Sequence, residues 1–213
     1  ASKNGGDSSQ AAMVIIDHKT GQVVGCVGAL GKKTTSRGLN RATQSIRQTG
    51  SCIKPIAVLV PGIANKEFTG ATIFEDEQTI FDDGYKPENY SNYLGKITVR
   101  RALESSQNIP FVEMMEKIGP KTSMNYLEKM GITTLSKKDE NLALALGGLD
   151  RGISPLQMAG AYATIANDGE YIEPTFYTKA ETSNKKVIVE VKQKKKKVFS
   201  KEVAYIVKEL LTE

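Results

Sequence analysis

Two apolar runs near the start of the chain, AAMVII (11–16) and QVVGCV (22–27), flank the polar stretch DHKTG. With Gly21 in the tight position, they predict a β-hairpin over residues 11–27. Residues 31–48 are polar and aperiodic and read as a connection. Then TGSCIKPIAVLV (49–60) runs from polar residues straight into five apolar ones, too apolar for a surface. It predicts a buried helix that opens near Ser51 and ends near Gly62.

From about 98 to 170 the pattern is mostly helical. Thr98 is placed to cap VRRALESS, Pro110 falls near the start of IPFVEMMEKIG, and Gly119-Pro120 closes it. KTSMNYLEKMG forms a further short helix ended by Gly131. In SPLQMAGAYATIANDG, Ser154 at N-cap, Pro155 at N1 and Gln157 at N3 make the best-capped start in the chain. Its alanines and glycine imply close packing on all sides and a central place. Residues 171–199 return to β-like patterning, with KKVIVEVKQ partly alternating. SKEVAYIVKELLTE then places Val203, Ile206, Val207, Leu210 and Leu211 on one helical face. The Gly/Ser-rich start, ASKNGGDSS, reads as a linker, so residues 1–10 are set apart from a domain at 11–213.

The elements together predict an α+β fold, an antiparallel sheet with a helical lobe. The 213 residues are enough for one substantial core. The net charge is +5, much of it in 185–197, KKVIVEVKQKKKK. No aromatic residues interleave with those lysines, so nucleic acid is not expected as a partner, and a solvated hairpin or edge strand is. Two cysteines, Cys26 and Cys52, and the lone His18 offer neither a disulfide framework nor a metal site. Both cysteines read as small buried hydrophobes, and His18 as an exposed turn residue. No cofactor is implied.

Ser51 and Lys54 share one face of the predicted helix at i, i+3. With 14 serines and 23 lysines, Ser-x-x-Lys arises by chance, and Ser183–Lys186 is a second copy in a polar stretch. Only the Ser51 copy opens an apolar helix. A free lysine, at a pKa of about 10.4, accepts no proton at neutral pH, whereas a buried one can lose its charge. A neutral Lys54 could then deprotonate the Ser51 hydroxyl for nucleophilic attack. Ser-x-Asn, a natural second relay, occurs at Ser2, Ser106 and Ser123. Ser2 lies in the tail and Ser123 within a predicted helix, where it reads as a surface feature. Ser106 and Asn108 lie between two helices and can point polar groups into a cleft.

NRATQSIRQTGSCIKP (40–55), ITVRRALESSQNIPFVEMMEKIG (97–119) and LALGGLDRGISPLQMAGAYATIANDG (144–169) resemble the transpeptidase domain of penicillin-binding proteins, above all the class A, bifunctional kind. The likeness extends over most of residues 11–178. It implies the fold of penicillin-binding proteins and serine β-lactamases. Residue by residue, Ser51 matches the acylated nucleophile, Lys54 its general base, Ser106 the proton relay and Asn108 the side chain that binds substrate and lysine. The resemblance further implies a D,D-transpeptidase cross-linking peptidoglycan stem peptides that end in D-Ala-D-Ala. It implies acylation by β-lactams and a place on the extracytoplasmic face of a bacterial membrane, with the anchor outside this chain.

Two departures stand out. The family's Lys-Thr-Gly strand is absent, since the HKTG at 18–21 lies in the first hairpin turn, upstream of Ser51. The fold is accordingly expected to be incomplete in this chain, with a separate C-terminal fragment carrying that strand as partner. The second departure is Cys52 beside the nucleophile, read as packing. The competing readings are a β-lactam sensor of the same fold that turns nothing over, a β-lactamase, for which no glutamate has a matching context, and a cysteine hydrolase using Cys52 and His18.

Overall fold

The computed structural model describes residues 9–32, 36–82 and 84–212. The linker expected at the start lies almost wholly outside the described residues. The hairpin forms as predicted: β1 (Met13–Ile16) pairs antiparallel with β2 (Val23–Val27), with Met13 opposite Val27 and a register shift at Ile16. Gly21, at φ 70°, closes the turn, where its amide donates to the Asp17 carbonyl. The hairpin is tied to the later chain by the amide of Val23, which donates to the Thr175 carbonyl, and the amide of Thr175, which donates to that of Gly21.

A short helix α1 (Arg41–Gln44) precedes the segment that carries Ser51. That segment is not one helix. It is a 3₁₀ turn (Gly50–Ile53), a π turn (Pro55–Leu59) and then α2 (Val60–Ala64). The prolines explain the irregularity. Pro61 has no N–H to give to the Ala57 carbonyl four residues back, and the amide of Val60 reaches instead to the Pro55 carbonyl. Gly62 lies inside α2 against the Phe68 ring rather than ending it.

β3 (Ile73–Asp76) and β4 (Gly95–Thr98) form a second antiparallel pair, followed by α3 (Val99–Glu104), α4 (Ile109–Ile118) and α5 (Pro120–Lys129). The Thr98 cap on α3 and the Ser154–Gln157 capping box on α6 (Pro155–Ala166) form as the sequence predicts. β5 (Glu170–Ile172) pairs with β8 (Lys195–Lys197), nesting β6 (Lys179–Glu181) and β7 (Val187–Glu190) between them. α7 (Lys201–Leu210) ends the described chain. The result is α+β, with every named strand pair antiparallel and a helical lobe.

The core centres on the apolar run after Lys54, where Ile53 and Ile56 through Val60 are fully buried among side chains of α4, α5 and α7. α6 packs against β1, β5, α1 and α7. It buries Gly160, Ala161, Thr164 and Ile165 and leaves its other side half-buried, so the expected packing on all sides is only partly realised. α7 buries Ala204, Val207 and Leu210 while Ile206 and Leu211 stay exposed, a stripe rotated from the one the sequence suggests. β7 (VIVE) and the all-lysine β8 are exposed throughout, in keeping with a solvated hairpin.

Candidate active site

The 3₁₀ turn sets the first motif. Residues three apart eclipse in such a turn, which stacks Lys54 on Ser51, and the Lys54 amide donates to the Ser51 carbonyl. Ser51 stays exposed while Lys54, only 1 % exposed, turns inward. Cys52 shares the open side with Ser51, which corrects the expectation that it packs inside. It borders a 490 Å³ cleft that Thr49, Arg41, Arg47, Ser154 and Met158 also line. Cys26 is exposed too, because it shares the outer face of β2 with Val24. His18 is half-buried in the hairpin turn, far in sequence from Cys52 and outside the residues that line this cleft.

The second motif forms the loop between α3 and α4. Ser106 sits at φ 52°, the left-handed region that serine rarely adopts. That bend turns the loop's oxygens onto one point. The Lys54 ammonium donates to the Ser106 carbonyl at 2.8 Å, the Asn108 Oδ1 at 2.9 Å, the Gln107 carbonyl at 3.0 Å and the Ser106 Oγ at 3.3 Å. The Phe111 ring lies 4.9 Å from its Nζ. Among the described residues no carboxylate pairs with it, and burial pushes its pKa down to about 8. Lys54, Ser106 and Asn108 are thus brought together by direct hydrogen bonds. Ser51 lies one turn before Lys54 on the open side, and its hydroxyl has no hydrogen-bond partner among the described residues.

Several groups that shape this site were not anticipated. Ser123 is fully buried on α5, not at the surface, and its hydroxyl donates to the Ala57 carbonyl at 2.6 Å. That carbonyl is the one Pro61 leaves without a helical partner, so Ser123 completes the lysine's own segment. The Tyr162 hydroxyl of α6 donates to the Cys52 carbonyl at 2.8 Å, and burial pushes its pKa up to about 12. Gly147, at φ 78°, abuts the nucleophile turn so closely that a Cβ would lie 2.5 Å from the Gly50 amide nitrogen. A side chain there would displace Ser51.

The profile of the penicillin-binding protein transpeptidase domain matches residues 11–213. This chain belongs to that family. It is 40 % identical over 199 residues to penicillin-binding protein 1F of Bacillus subtilis, covering 93 % of this chain and 27 % of the relative. It is 38 % identical over 220 residues to penicillin-binding protein 1A of Clostridium botulinum, covering 98 % and 26 %. Relatives of this kind are class A penicillin-binding proteins, and the chain spans about a quarter of their length. A crystal structure of penicillin-binding protein 1A from Haemophilus influenzae superposes with a TM-score of 0.82 at 25 % identity, over 95 % of this chain and 34 % of that one. A penicillin-binding protein of Mycobacterium tuberculosis, solved in complex with penicillin V, gives 0.82 at 26 % identity, over 97 % and 56 %. Among the described residues no helix is long and apolar enough to cross a membrane.

Proposed function

We propose that this chain carries the acylation machinery of a serine D,D-transpeptidase that cross-links peptidoglycan stem peptides. The observation that carries the proposal is Lys54: a buried ammonium with no carboxylate partner among the described residues, one turn from an exposed serine, ringed by the oxygens of the Ser106–Asn108 loop. In its neutral form Lys54 takes the proton of the Ser51 hydroxyl as Oγ attacks the carbonyl carbon of the penultimate D-Ala. The C–N bond then breaks. The Ser106 hydroxyl, 3.3 Å from Nζ, relays the proton to the departing D-Ala amine. An ester remains on Ser51. The amine of a second stem peptide attacks it, surrenders its proton through the same relay, and restores the serine. Asn108 orients the donor amide while its Oδ1 holds the lysine.

A β-lactam enters by the same first step, since its ring amide stands where the D-Ala-D-Ala amide would. The reading assigns the substrate carboxylate to the family's Lys-Thr-Gly strand, a role that Lys19–Gly21 in the first hairpin turn does not take. It places the site on the extracytoplasmic face of a bacterial membrane. Two assays on the intact protein test it. Labelled penicillin should attach to Ser51 and be lost in Ser51→Ala, and a D-Ala-D-Ala donor should release D-Ala. Labelling without release would favour a sensor of the same fold, and fast loss of the label a β-lactamase.

A further inference from the structure

Asn108 is the N-cap residue of α4, yet its side chain makes no capping bond. Asparagine is among the best N-caps, and its amide oxygen ordinarily accepts an amide from its own helix. Here Oδ1 is turned to Lys54, and Nδ2 donates to the Glu88 carbonyl at 2.7 Å. The second bond settles which end of the amide faces the lysine, because only Nδ2 can donate to a carbonyl. The backbone of Asn108 (φ −90°, ψ −45°) is likewise not the extended conformation of a self-capping residue.

The cap is supplied from elsewhere. Oδ1 of Asn89, in the connection between β3 and β4, accepts the amides of Asn108 at 2.7 Å and Ile109 at 3.3 Å. Asn89 is oriented in turn by Asp76, the inward-facing last residue of β3, which is fully buried. Its Oδ1 accepts from Asn89 Nδ2 at 2.7 Å, and its Oδ2 accepts from the Leu94 amide at 2.8 Å. The same connection grips the neighbouring residue, with Gln107 Nε2 donating to Ser91 Oγ and the Asn92 carbonyl.

We infer that Asn89, anchored by the carboxylate of Asp76, is a positioning residue: by accepting the first two amides of α4 from outside the helix it pins the backbone of Asn108 so that its side chain faces Lys54. The inference rests on the function proposed above. Without Asn89 the amides of Asn108 and Ile109 lose their acceptor, the start of α4 is released, and the Asn108 oxygen can turn from Lys54 to the Phe111 amide of its own helix, since Pro110 offers none. Lys54 then loses one acceptor and the substrate loses its oriented amide.

The donor and acceptor order gives a test. In Asn89→Ala the cap is gone. In Asn89→Asp alone two carboxylates face each other, and in Asp76→Asn alone two amides meet donor to donor. The exchanged pair Asp76→Asn/Asn89→Asp restores each bond with the roles reversed: the new amide accepts Leu94 and donates to the new carboxylate, which caps Asn108 and Ile109. The measurement is the rate of acylation by a fluorescent penicillin across pH, in the intact protein, with Ser51→Ala as reference.

Asn89→Ala and the single exchanges should fall by up to about 10²-fold, as misplacement near a reacting centre does. Because an acceptor that favours the ammonium is lost, the rising limb should also move to lower pH. The exchanged pair should recover both rate and profile. Should Asn89→Ala fail to fold, Asn89→Asp against the exchanged pair decides alone. Wild-type acylation in the single variants overturns the inference, as does a slowed rate with an unmoved pH profile that the exchanged pair fails to rescue. Persistent labelling of Ser51→Ala would instead overturn the proposed function itself.

Discussion

Ser51–Lys54 and Ser183–Lys186 have the same spacing and opposite surroundings. The first pair lies on a 3₁₀ turn whose next residues are the centre of the core, and Lys54 is buried against four oxygens and an aromatic ring. The second lies in the turn between β6 and β7, where Lys185 at φ 63° reverses the chain and both Ser183 and Lys186 are exposed. There the ammonium stands in water. Spacing offers the same two groups three residues apart in both places. Only desolvation makes the amine able to act as a base, and desolvation is a property of the core.

The comparison breaks most visibly at the serines. Ser51→Ala should abolish penicillin labelling while Ser183→Ala leaves it unchanged, read by the mass of the labelled peptide. A label on Ser183 would mean that exposure does not disqualify the motif. Next comes the base. Lys54→Ala should slow acylation by about 10²–10⁴-fold, the usual loss when a general base is removed. Stopped-flow with a chromogenic β-lactam measures it, and near-normal acylation would place the base elsewhere.

Ser123→Ala sharpens the same contrast by leaving the Ala57 carbonyl buried without a donor. It should cost about 1–3 kcal/mol in denaturant unfolding, the penalty for an unsatisfied buried acceptor. Smallest is Lys186→Ala, which should change stability by no more than about 0.5 kcal/mol, as exposed substitutions do.

What could be read from the sequence was what is settled locally. The Thr98 cap, the Ser154–Gln157 box and the Gly21 turn depend on residues two to four apart, and each formed where the pattern put it. The apolar run after Lys54 announced its own burial, and with it the environment of the lysine. The contacts that escaped are long-range. Ser123 was misread because its acceptor lies 66 residues earlier, and nothing near Ser123 shows that Pro61 leaves that carbonyl open.

Asp76 and Asn89 lie 13 residues apart in a stretch with no motif, although the alternation of Phe74 and Asp76 in β3 already points the acid inward. Cys52 was misplaced because a 3₁₀ turn, unlike the expected helix, leaves the residue after Ser51 on the open side. Which residues of α7 face inward was set by its docking on α2 and α6, and its own periodicity did not reveal that choice.

The central claim is that burial gives Lys54 a proton affinity suited to a base near neutral pH. The direct measurement is the second-order rate constant of Ser51 acylation between pH 6 and pH 10, made on the intact protein at sub-saturating β-lactam, which reports the free enzyme's titration. Burial favours the neutral amine, so the lysine is ammonium below its lowered pKa and free base above it. The rate should therefore climb as one proton is lost, with a midpoint near pH 8, and the climb should vanish in Lys54→Arg. A midpoint near the ordinary lysine value, or the same climb in the arginine variant, would contradict the account.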